Sequence, residues 1–339
     1  MRVLIISPTQ GGIGGIARHV QGLSEFLKKN GHIVDILSSE NTFTIPVKGL
    51  KNPSFMLSAF LKTKFKKGND IVHAHNLPSA LPMKNASGKK VLTLHGIYSE
   101  QIDALHGKTT GKLSSSYEKD ALTWADVITV ITKEAHDYYT KSGFKVSLVP
   151  NAIDLSSLPK QKEKLYEKQV IYAGRLSKEK GILDLLEMSK KLPDDTHLLI
   201  LGSGPEEEKV KEADKSHPNI HFMGYQPRER TISLIRGSDL LIQPSIVEGI
   251  SSTLLEAMAC KIPVIATNVG GNKEILEHGK TGILVELHSP TKILEETLDL
   301  LSNREKSSSL MEEAFNKVQK YDWSHVGNLY LRIYESLLQ

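Results

Sequence analysis

The feature that most constrains the fold of this chain is a regular alternation of short apolar runs with longer amphipathic stretches. The runs are rich in Val, Ile and Leu without alternating polarity, which is typical of strands buried on both faces of a parallel sheet. The strands predicted for the first half are Arg2–Ser7, His32–Leu37, Asp70–His75, Lys90–His95, Val127–Ile131 and Val146–Val149. Helices are predicted between them, including Arg18–Asn30 and Tyr117–Ala125.

The alternation starts again after a polar segment, residues 155–168, which contains Pro159 and several lysines and is predicted to be a linker. The later strands are predicted at Gln169–Tyr172, His197–Leu201, Ile220–Met223, Asp239–Gln243 and Pro263–Ala266, with helices at Gly181–Lys191, Glu206–Ser216, Arg228–Ile235 and Thr253–Cys260. The last stretch, residues 323–339, is predicted to be an amphipathic helix. We therefore predict an α/β protein with two Rossmann-like domains, residues 1–154 and 169–322. Ligands of such sheets bind beyond the carboxyl ends of the strands.

Length and composition exclude several other classes of protein. A chain of 339 residues is long enough for two domains, each with its own core. It contains no run approaching the ~20 apolar residues that a membrane helix needs. Met1 and Arg2 lead directly into an apolar strand, which does not resemble a signal peptide. The single cysteine, Cys260, excludes an intramolecular disulfide and a cysteine-rich metal site. These features predict a cytoplasmic protein.

Charge is unevenly distributed along the chain. Residues 1–160 carry 20 Lys and Arg against 12 Asp and Glu, a balance of +8, and the remainder carries 23 against 27, or −4. A basic first half suggests an acidic partner or an anionic membrane, although an ordinary solvated surface would show the same balance. The segment Ser54–Lys67 combines an apolar face with a lysine-rich end, which suits either an interfacial helix or a core-packed one. We expect no nucleic-acid partner.

Two acidic residues, Glu248 and Glu256, flank the start of a predicted helix. The helix follows an apolar strand and a short turn, in which Ser251 and Ser252 are suitable N-cap residues. The free N–H groups and the positive end of such a helix can hold a phosphate. The carboxylates can accept hydrogen bonds from hydroxyls, so the stretch suits a ligand with phosphates and polyols, such as a nucleotide-sugar. Two ordinary surface glutamates are the alternative.

A second turn, Tyr172–Gly181, places two cations where a predicted strand gives way to a helix. These cations are Arg175 and Lys180. A charge-assisted hydrogen bond from such a group is worth roughly 1.5–3 kcal/mol. Because Lys178 and Lys180 alternate with Glu179, a solvated basic turn is the alternative. The position at the mouth of the sheet favours a binding role.

Glycines also follow the first predicted strand. Gly12-x-Gly14-x-x-Ala17 matches the dinucleotide-binding fingerprint. Asp35 falls roughly where the ribose-binding acid of that fingerprint is expected. This pattern makes an NAD(P)-dependent oxidoreductase, or a nucleotide-sugar epimerase on the same fold, the alternative function. However, Asp35 is followed by apolar residues, so it is predicted to lie inside its strand and not at the carboxyl end.

Three histidines belong to two predicted strands. His73 and His75 are two residues apart and so point to the same face, but no third ligand accompanies them, and we predict no metal site. His95 ends its strand and is followed by Gly96, which places it at the edge of the sheet where ligands bind. A structural role is the alternative for each histidine.

Together these motifs resemble those of the retaining glycosyltransferases of family 4, which have the GT-B fold. The resemblance extends over most of the chain. The matching segments are Gly14–Val20, Leu94–Gly96, Val149–Asp154, Tyr172–Gly181, Phe222–Tyr225, the E-x7-E motif Glu248–Glu256 and Gly270–Glu274. Two segments depart from the family pattern, because Ala152 replaces a usual glycine and Ile250-Ser251 replaces the usual Phe-Gly.

The resemblance implies a role for each site residue. It assigns catalysis to Arg175, Lys180, Glu248 and His95, the donor diphosphate to Gly14, Gly15, Arg175, Lys180, Thr253 and Leu254, the donor sugar to His95, Glu248, Gly249, Ile250 and Ser251, and the nucleotide to Glu256, Gly224 and Tyr225. It also implies that the sheets face a central cleft and that the terminal helix packs back on the first domain.

We therefore predict a retaining, metal-independent glycosyltransferase. It would move a sugar from a nucleoside diphosphate sugar to a hydroxyl of a sugar or lipid-linked acceptor, in glycan, glycolipid or cell-envelope polysaccharide synthesis. No cofactor is expected, because the sequence has no Asp-x-Asp and a cationic pair can replace a metal. A non-catalytic binder of nucleotide-sugars is a further alternative. The location would be cytoplasmic, with peripheral attachment to the membrane as an option.

Overall fold

The computed structural model describes residues 1–10, 15–47, 49–97 and 111–339, with the backbone alone for 111–115. The chain divides into two compact units, one formed by Met1–Ala152 with Trp323–Gln339 and the other by Ile153–Asp322. Each unit is built around its own six-stranded sheet, in which the strands pair in parallel. The predicted α/β class with two Rossmann-like sheets is confirmed.

The first sheet has the order β2-β1-β3-β4-β5-β6. Its strands are β1 Arg2–Ser7, β2 Ile33–Ser38, β3 Ile71–His75, β4 Lys89–Leu94, β5 Val127–Val130 and β6 Val146–Leu148. The helices of this unit are α1 Gly15–Lys29, α2 Lys51–Thr63, α3 Ala80–Asn85, α4 Gly111–Leu122, α5 Lys133–Lys141 and α13 Trp323–Leu338. Every predicted strand of this half lies within one residue of its observed bounds. The helix predicted from Tyr117 begins earlier, at Gly111.

Strand β1 shows why the apolar runs do not alternate in polarity. Leu4 and Ile6 belong to one core, which also contains Phe55 of α2. Val3 and Ile5 belong to the other core, with residues of α1 and α13. Because helices cover both faces of the sheet, apolar side chains are needed at successive positions.

The terminal helix α13 packs closely against α1 within the first unit. A Cβ atom on Gly22 of α1 would lie 2.2 Å from the Trp323 ring, and one on Gly327 of α13 would lie 2.4 Å from the Phe26 ring. Each helix therefore has a glycine at the position where an aromatic ring of the other helix packs against it. Tyr330 and Tyr334 of α13 are fully buried in the same core.

The second sheet has the order β12-β11-β10-β7-β8-β9. Its strands are β7 Lys168–Ala173, β8 Thr196–Leu201, β9 Ile220–Gly224, β10 Leu240–Gln243, β11 Val264–Thr267 and β12 Ile283–Val285. Its helices are α6 Ile182–Ser189, α7 Glu207–Ser216, α8 Arg228–Gly237, α9 Ser252–Ala259, α10 Asn272–Ile275, α11 Pro290–Ser302 and α12 Arg304–Val318. Strand β12 was not predicted from the sequence, because a three-residue strand is too short to show a periodic pattern.

The segment predicted to be a linker belongs to the second unit. Residues 154–167 form neither helix nor strand, but several of their groups bond to α8. The N–H of Glu163 donates to the Ser233 carbonyl over 2.9 Å, and Arg236 Nε donates to the Pro159 carbonyl over 2.9 Å. These bonds fix the segment along the helix.

Candidate functional site

The connections after three neighbouring strands of the second sheet carry residues of the predicted motifs. Arg175 and Lys180 follow β7, Glu248 follows β10, and Gly270, in a segment that matches the family pattern, follows β11. Because β11, β10 and β7 are neighbours and run in parallel, their carboxyl ends lie on one edge of the sheet. This is the edge at which ligands of such sheets bind.

Lys180 and Glu248 form an ion pair at this edge. The Nζ atom of Lys180 lies 2.8 Å from each carboxylate oxygen of Glu248. The carboxylate also accepts hydrogen bonds from the Ser245 hydroxyl over 2.9 Å and from Gln243 Nε2 over 3.4 Å. The side chains of Lys180 and Glu248 are only 24% and 11% exposed. The end of β10 and the connection after it therefore supply two of the partners of Glu248.

The Lys180 turn is fixed to the β10 connection through the backbone. The N–H of Ile246 donates to the Glu179 carbonyl over 2.9 Å. Gly181 has a φ of +69°, and a Cβ atom there would lie 1.7 Å from the Pro244 carbonyl oxygen. Glycine alone fits such a close, left-handed position. The contact sets where Lys180 can place its ammonium group.

The β11 connection supports the same loop from the other side. The N–H of Gly271 donates to the Glu248 carbonyl over 3.0 Å. A Cβ atom on Gly270 would lie 2.0 Å from that oxygen, and one on Gly271 would lie 2.2 Å from the Gly249 carbonyl oxygen. The backbone from Glu248 to Ile250 is thus held between two connections.

Arg175 lies in the same turn as Lys180 but does not contact Glu248. Its exposed guanidinium lies 3.9 Å from a Glu179 carboxylate oxygen. Its carbonyl accepts a hydrogen bond from the buried Tyr172 hydroxyl over 2.8 Å. Burial raises the pKa of Tyr172, and the negative charges of Glu248 and Glu179 raise it further. Tyr172 therefore stays neutral and holds the start of the turn.

Helix α9 begins with the predicted cap. The Ser251 hydroxyl accepts a hydrogen bond from the N–H of Leu254 over 3.3 Å. The Leu254 N–H, predicted to bind a phosphate, already has a partner in Ser251. Thr253 is the other first-turn residue assigned to the diphosphate, and its N–H has no acceptor within the helix. Ile250, which was assigned to the donor sugar, is buried.

Glu256 contacts the helix that follows the β9 connection. Its buried side chain lies 3.5 Å from Arg228 Nε, at the start of α8. Gly224 ends β9 with a φ of +64°, and Tyr225 follows it with an exposed side chain. The residues predicted to bind the nucleotide therefore come from α9, which carries Glu256, and from the end of β9 and the connection after it, which carry Gly224 and Tyr225. Arg228 follows that connection in the chain and pairs with Glu256.

Arg228, the ion-pair partner of Glu256, was not predicted as a site residue from the sequence. A cation in the first turn of a helix faces the positive end of the helix dipole, which is unfavourable without a compensating carboxylate. That placement was the signal in the sequence, but the sequence alone does not say which carboxylate compensates it.

In the first unit, His95 follows β4 and is buried. Its Nε2 lies 3.1 Å from His75 Nδ1, and its backbone N–H donates to Asn76 Oδ1 over 2.9 Å. Burial lowers the pKa of His95 well below its ordinary value, and the nearby His19 and His73 lower it further. Gly15 begins α1, and Gly14 lies outside the described residues.

His73 and His75 are buried in β3, with ring centroids 4.4 Å apart. His73 bonds through Nδ1 to the Tyr334 hydroxyl and through Nε2 to the Thr93 hydroxyl, both over 2.6 Å. Across residues 1–10, 15–47, 49–97 and 111–339, no three His, Cys, Asp or Glu side chains are placed to hold a metal ion. In the same ranges no helix combines the length and apolarity needed to span a bilayer.

Two family models match this chain. The model described as Glycosyltransferase Family 4 matches residues 13–157, and the one described as Glycosyl transferases group 1 matches residues 156–317. Together they cover most of the sequence. The chain belongs to the family 4 glycosyltransferases.

Characterised and uncharacterised relatives support the assignment over the full length. An uncharacterised glycosyltransferase of Methanocaldococcus jannaschii is 29% identical, with 99% of each chain covered. The phosphatidyl-myo-inositol mannosyltransferase of Mycobacterium leprae is 25% identical over 99% of this chain and 97% of its own. The matches give no support to the oxidoreductase alternative, and the Asp35 carboxylate on which it depended lies 3.5 Å from the Arg2 guanidinium.

Solved structures show the same GT-B fold. The sucrose-phosphate synthase of Thermosynechococcus elongatus superposes with a TM-score of 0.84 at 20% identity, covering 99% of both chains. Anabaena HepE, solved in complex with UDP and glucose, superposes with a TM-score of 0.78 at 17% identity, covering 99% of this chain and all of HepE.

Proposed function

We propose that this protein is a retaining glycosyltransferase that uses a nucleoside diphosphate sugar and needs no metal ion. The observation that carries the proposal is the Lys180–Glu248 pair at the carboxyl edge of the second sheet. It puts a cation suited to a phosphate and a carboxylate suited to sugar hydroxyls at one point. Gly270 and Gly271 let the β11 connection approach the backbone of Glu248 and Gly249 closely, which holds this point in place.

The cations of the β7 connection would bind the diphosphate. Lys180 would donate to one phosphate group, and the exposed Arg175 would reach another from the same turn. The first turn of α9, through Thr253, adds N–H groups at the positive end of a helix. As the sugar leaves, negative charge grows on the diphosphate, and fixed cations and dipoles stabilise it. These groups do the work for which other transferases use a metal.

The remaining groups would bind the two organic parts of the donor. Glu248, with the backbone of Gly249, would accept hydrogen bonds from sugar hydroxyls. Glu256 would bind the ribose, and Gly224 with Tyr225 would meet the base. His95 is proposed to contribute a hydrogen bond to the sugar.

Retention of configuration would follow from attack on the face that the diphosphate leaves. The acceptor oxygen bonds to the anomeric carbon while the carbon–oxygen bond to the diphosphate breaks. A diphosphate oxygen takes the acceptor proton. The Lys180 ammonium group holds the departing diphosphate beside the reacting carbon, which keeps this front-face route open.

A panel of UDP-, GDP-, ADP- and dTDP-sugars tests the proposal. At least one donor should raise the melting temperature of the protein and be hydrolysed slowly with release of the nucleoside diphosphate. Arg175→Ala and Lys180→Ala should each abolish turnover while the far-UV circular dichroism spectrum stays unchanged. Turnover near the wild-type rate in either variant would remove the proposed role of these cations.

We also propose that the acceptor is presented at an anionic membrane surface, where α2 lies against the lipid. One face of α2 packs on the core through Phe55 and Ala59. The opposite face carries Leu57 and Leu61, which are 61% and 51% exposed, and Phe65 follows the helix with 86% exposure. A helix with a second, solvent-facing apolar stripe is typical of an interfacial helix.

The charge of the segment that contains α2 favours an anionic lipid. Between Glu40 and Asp70 the sequence has no acidic residue, whereas it has six lysines. An apolar stripe within a purely basic segment suits an anionic bilayer and a lipid-linked acceptor. A relative in the same family bears the name of a phosphatidyl-myo-inositol mannosyltransferase, which agrees with a lipid acceptor.

Sedimentation with vesicles tests the membrane proposal. The protein should bind vesicles that contain phosphatidylglycerol and not pure phosphatidylcholine. Each lysine near an anionic surface contributes about 1 kcal/mol, so changing Lys64, Lys66 and Lys67 to Gln should weaken binding by about two orders of magnitude. The matched control changes Lys28, Lys29 and Lys141 to Gln. Equal binding by both triple variants would show that α2 is not the contact surface.

A further inference from the structure

The end of strand β3 holds His95 at two points. His75 is the last residue of β3, and its Nδ1 lies 3.1 Å from His95 Nε2. Asn76 comes next, and its side-chain oxygen accepts the backbone N–H of His95 over 2.9 Å. Two consecutive residues therefore fix both the backbone and the ring of His95. Asn76 does so with a φ of +58°, a backbone conformation that non-glycine residues adopt only when their surroundings impose it.

The hydrogen bond between the two rings carries one proton, which must sit on one of the two nitrogens. All four histidines of this core, His19, His73, His75 and His95, have a pKa lowered by burial, so the rings are neutral near pH 7. A neutral imidazole has one N–H and one acceptor nitrogen. The position of the shared proton therefore decides which nitrogen of His95 is the donor.

The second nitrogen of His75 distinguishes the two arrangements. His75 Nε2 is buried and has no hydrogen-bond partner within the described part of the chain. If His95 donated the shared proton, His75 would carry its own proton on Nε2 and bury an N–H group without an acceptor, which native structures rarely do. If His75 donates it from Nδ1, Nε2 carries only a lone pair. The second arrangement is the less costly.

We propose that His75 is a positioning residue that donates from Nδ1 to His95 Nε2 and thereby keeps the His95 proton on Nδ1. His95 then acts as a neutral hydrogen-bond donor, suited to a hydroxyl oxygen of the bound sugar. This inference rests on the proposed function, because it deepens the role given there to His95. It also explains the spacing of His73 and His75 without a metal, since the first bonds Tyr334 and Thr93 and the second bonds His95.

Long-range proton–nitrogen NMR of the full-length protein labelled with ¹⁵N-histidine tests the tautomer directly. The spectrum separates protonated from unprotonated ring nitrogens for each histidine, and His95→Gln assigns the His95 signals. The expected result is a protonated Nδ1 and an unprotonated Nε2 on His95. Protonation of His95 on Nε2 overturns the proposal, whatever the activity of the protein.

Two substitutions of His75 separate positioning from packing. In His75→Asn the amide nitrogen stands as many bonds from Cα as Nδ1 does, so it can still donate to His95. His75→Leu fills similar space without a donor. We expect donor turnover, as kcat/KM, to fall at least ten-fold in His75→Leu and to stay within three-fold of wild type in His75→Asn, with the His95 tautomer lost in the first and kept in the second. Equal kcat/KM in both variants overturns the proposal.

The NMR result and the kinetic result fail independently. The His95 tautomer is observed without any substrate, so a protein that turns over no nucleotide-sugar refutes the proposed function and leaves the ring-to-ring bond measurable.

Discussion

Replacement of Glu248 by Gln should strengthen the binding of a free nucleoside diphosphate while it weakens sugar transfer. Glutamine keeps the shape of the side chain and can still accept from Lys180 and Ser245, but it removes the negative charge that lies 2.8 Å from the Lys180 ammonium group. In the wild type, a diphosphate must compete with that charge for Lys180. Without it, the ammonium group is available to the phosphates alone.

The size of the effect follows from the exposure of the pair. Fully exposed ion pairs are worth roughly 0.2–1 kcal/mol, and loss of one partner from a buried pair costs about 3–5 kcal/mol. With side chains 24% and 11% exposed, the Lys180–Glu248 pair lies between these limits. Because solvent still screens the pair, we take the attraction of Glu248 for the Lys180 ammonium group as about 1 kcal/mol. Glu248→Gln should therefore lower the Kd of the nucleoside diphosphate about five-fold. Transfer from the sugar donor should fall at least ten-fold, because the sugar loses a charge-assisted acceptor.

Isothermal titration calorimetry with UDP, GDP and ADP measures the first effect, and a coupled assay of nucleoside diphosphate release measures the second. Glu187→Gln is the matched control, because Glu187 is an exposed glutamate of the same unit and its loss changes the net charge equally. If Glu248→Gln binds the diphosphate more weakly than wild type, Glu248 does not compete for Lys180 and the electrostatic argument is wrong.

Three further predictions concern stability. Gly270→Ala would place a Cβ atom 2.0 Å from the Glu248 carbonyl oxygen, so it should lower the free energy of unfolding by about 1–3 kcal/mol and weaken donor binding in calorimetry. Gly279→Ala is the control, because nothing lies within 4 Å of its Cβ position, and it should leave donor binding unchanged. His19 has a pKa of about 4 in the folded state against 6.5 unfolded, so the unfolded state binds more protons between these values, and His19 alone should contribute a loss of about 2 kcal/mol from pH 7 to pH 5. Because His73, His75 and His95 also have lowered pKa values, urea denaturation should show a loss in His19→Asn that is smaller than the wild-type loss by about this amount. Tyr334→Phe removes the 2.6 Å bond to buried His73 and should lower the free energy of unfolding by about 1–3 kcal/mol in the same assay. The Kd of the nucleotide should stay unchanged in this variant, which serves as the control.

Most of the fold could be predicted from the sequence because its signals are local. Strand β1 was predicted with its observed bounds, since four successive apolar residues, Val3 to Ile6, must be covered on both faces. The terminal helix Trp323–Leu338 also lies within one residue of its predicted bounds, because its apolar residues recur at helical spacing. The three-residue strand β12 carried no such pattern and was missed.

The partners within the candidate site could not be predicted, because they depend on how neighbouring connections meet. Lys180 and Glu248 are 68 residues apart in the chain. Their direct contact follows from the pairing of β7 with β10 and from the close approach of Gly181 to Pro244, neither of which has a local signal. The position of each residue between a strand and a helix could be predicted from the sequence, whereas the contact between the two residues could not.

The surface of α2 shows a second limit of the sequence. Its apolar residues form two stripes, one with Phe55 and Ala59 and the other with Leu57 and Leu61. The sequence alone could not distinguish the stripe that packs on the core from the one that stays exposed, so the interfacial and core-packed interpretations were both open. The structure has one stripe in each role, and this is why we propose a membrane contact.

The central claim is that Lys180 binds the diphosphate of a nucleotide-sugar. Calorimetric titration of the preferred donor into wild type, Lys180→Ala and Lys178→Ala tests it most directly, because both lysines lie in one turn and only Lys180 meets Glu248. Lys180→Ala should bind the donor at least ten-fold more weakly than wild type, while Lys178→Ala should stay within two-fold of wild type. Equal affinities for the donor in all three proteins would contradict it.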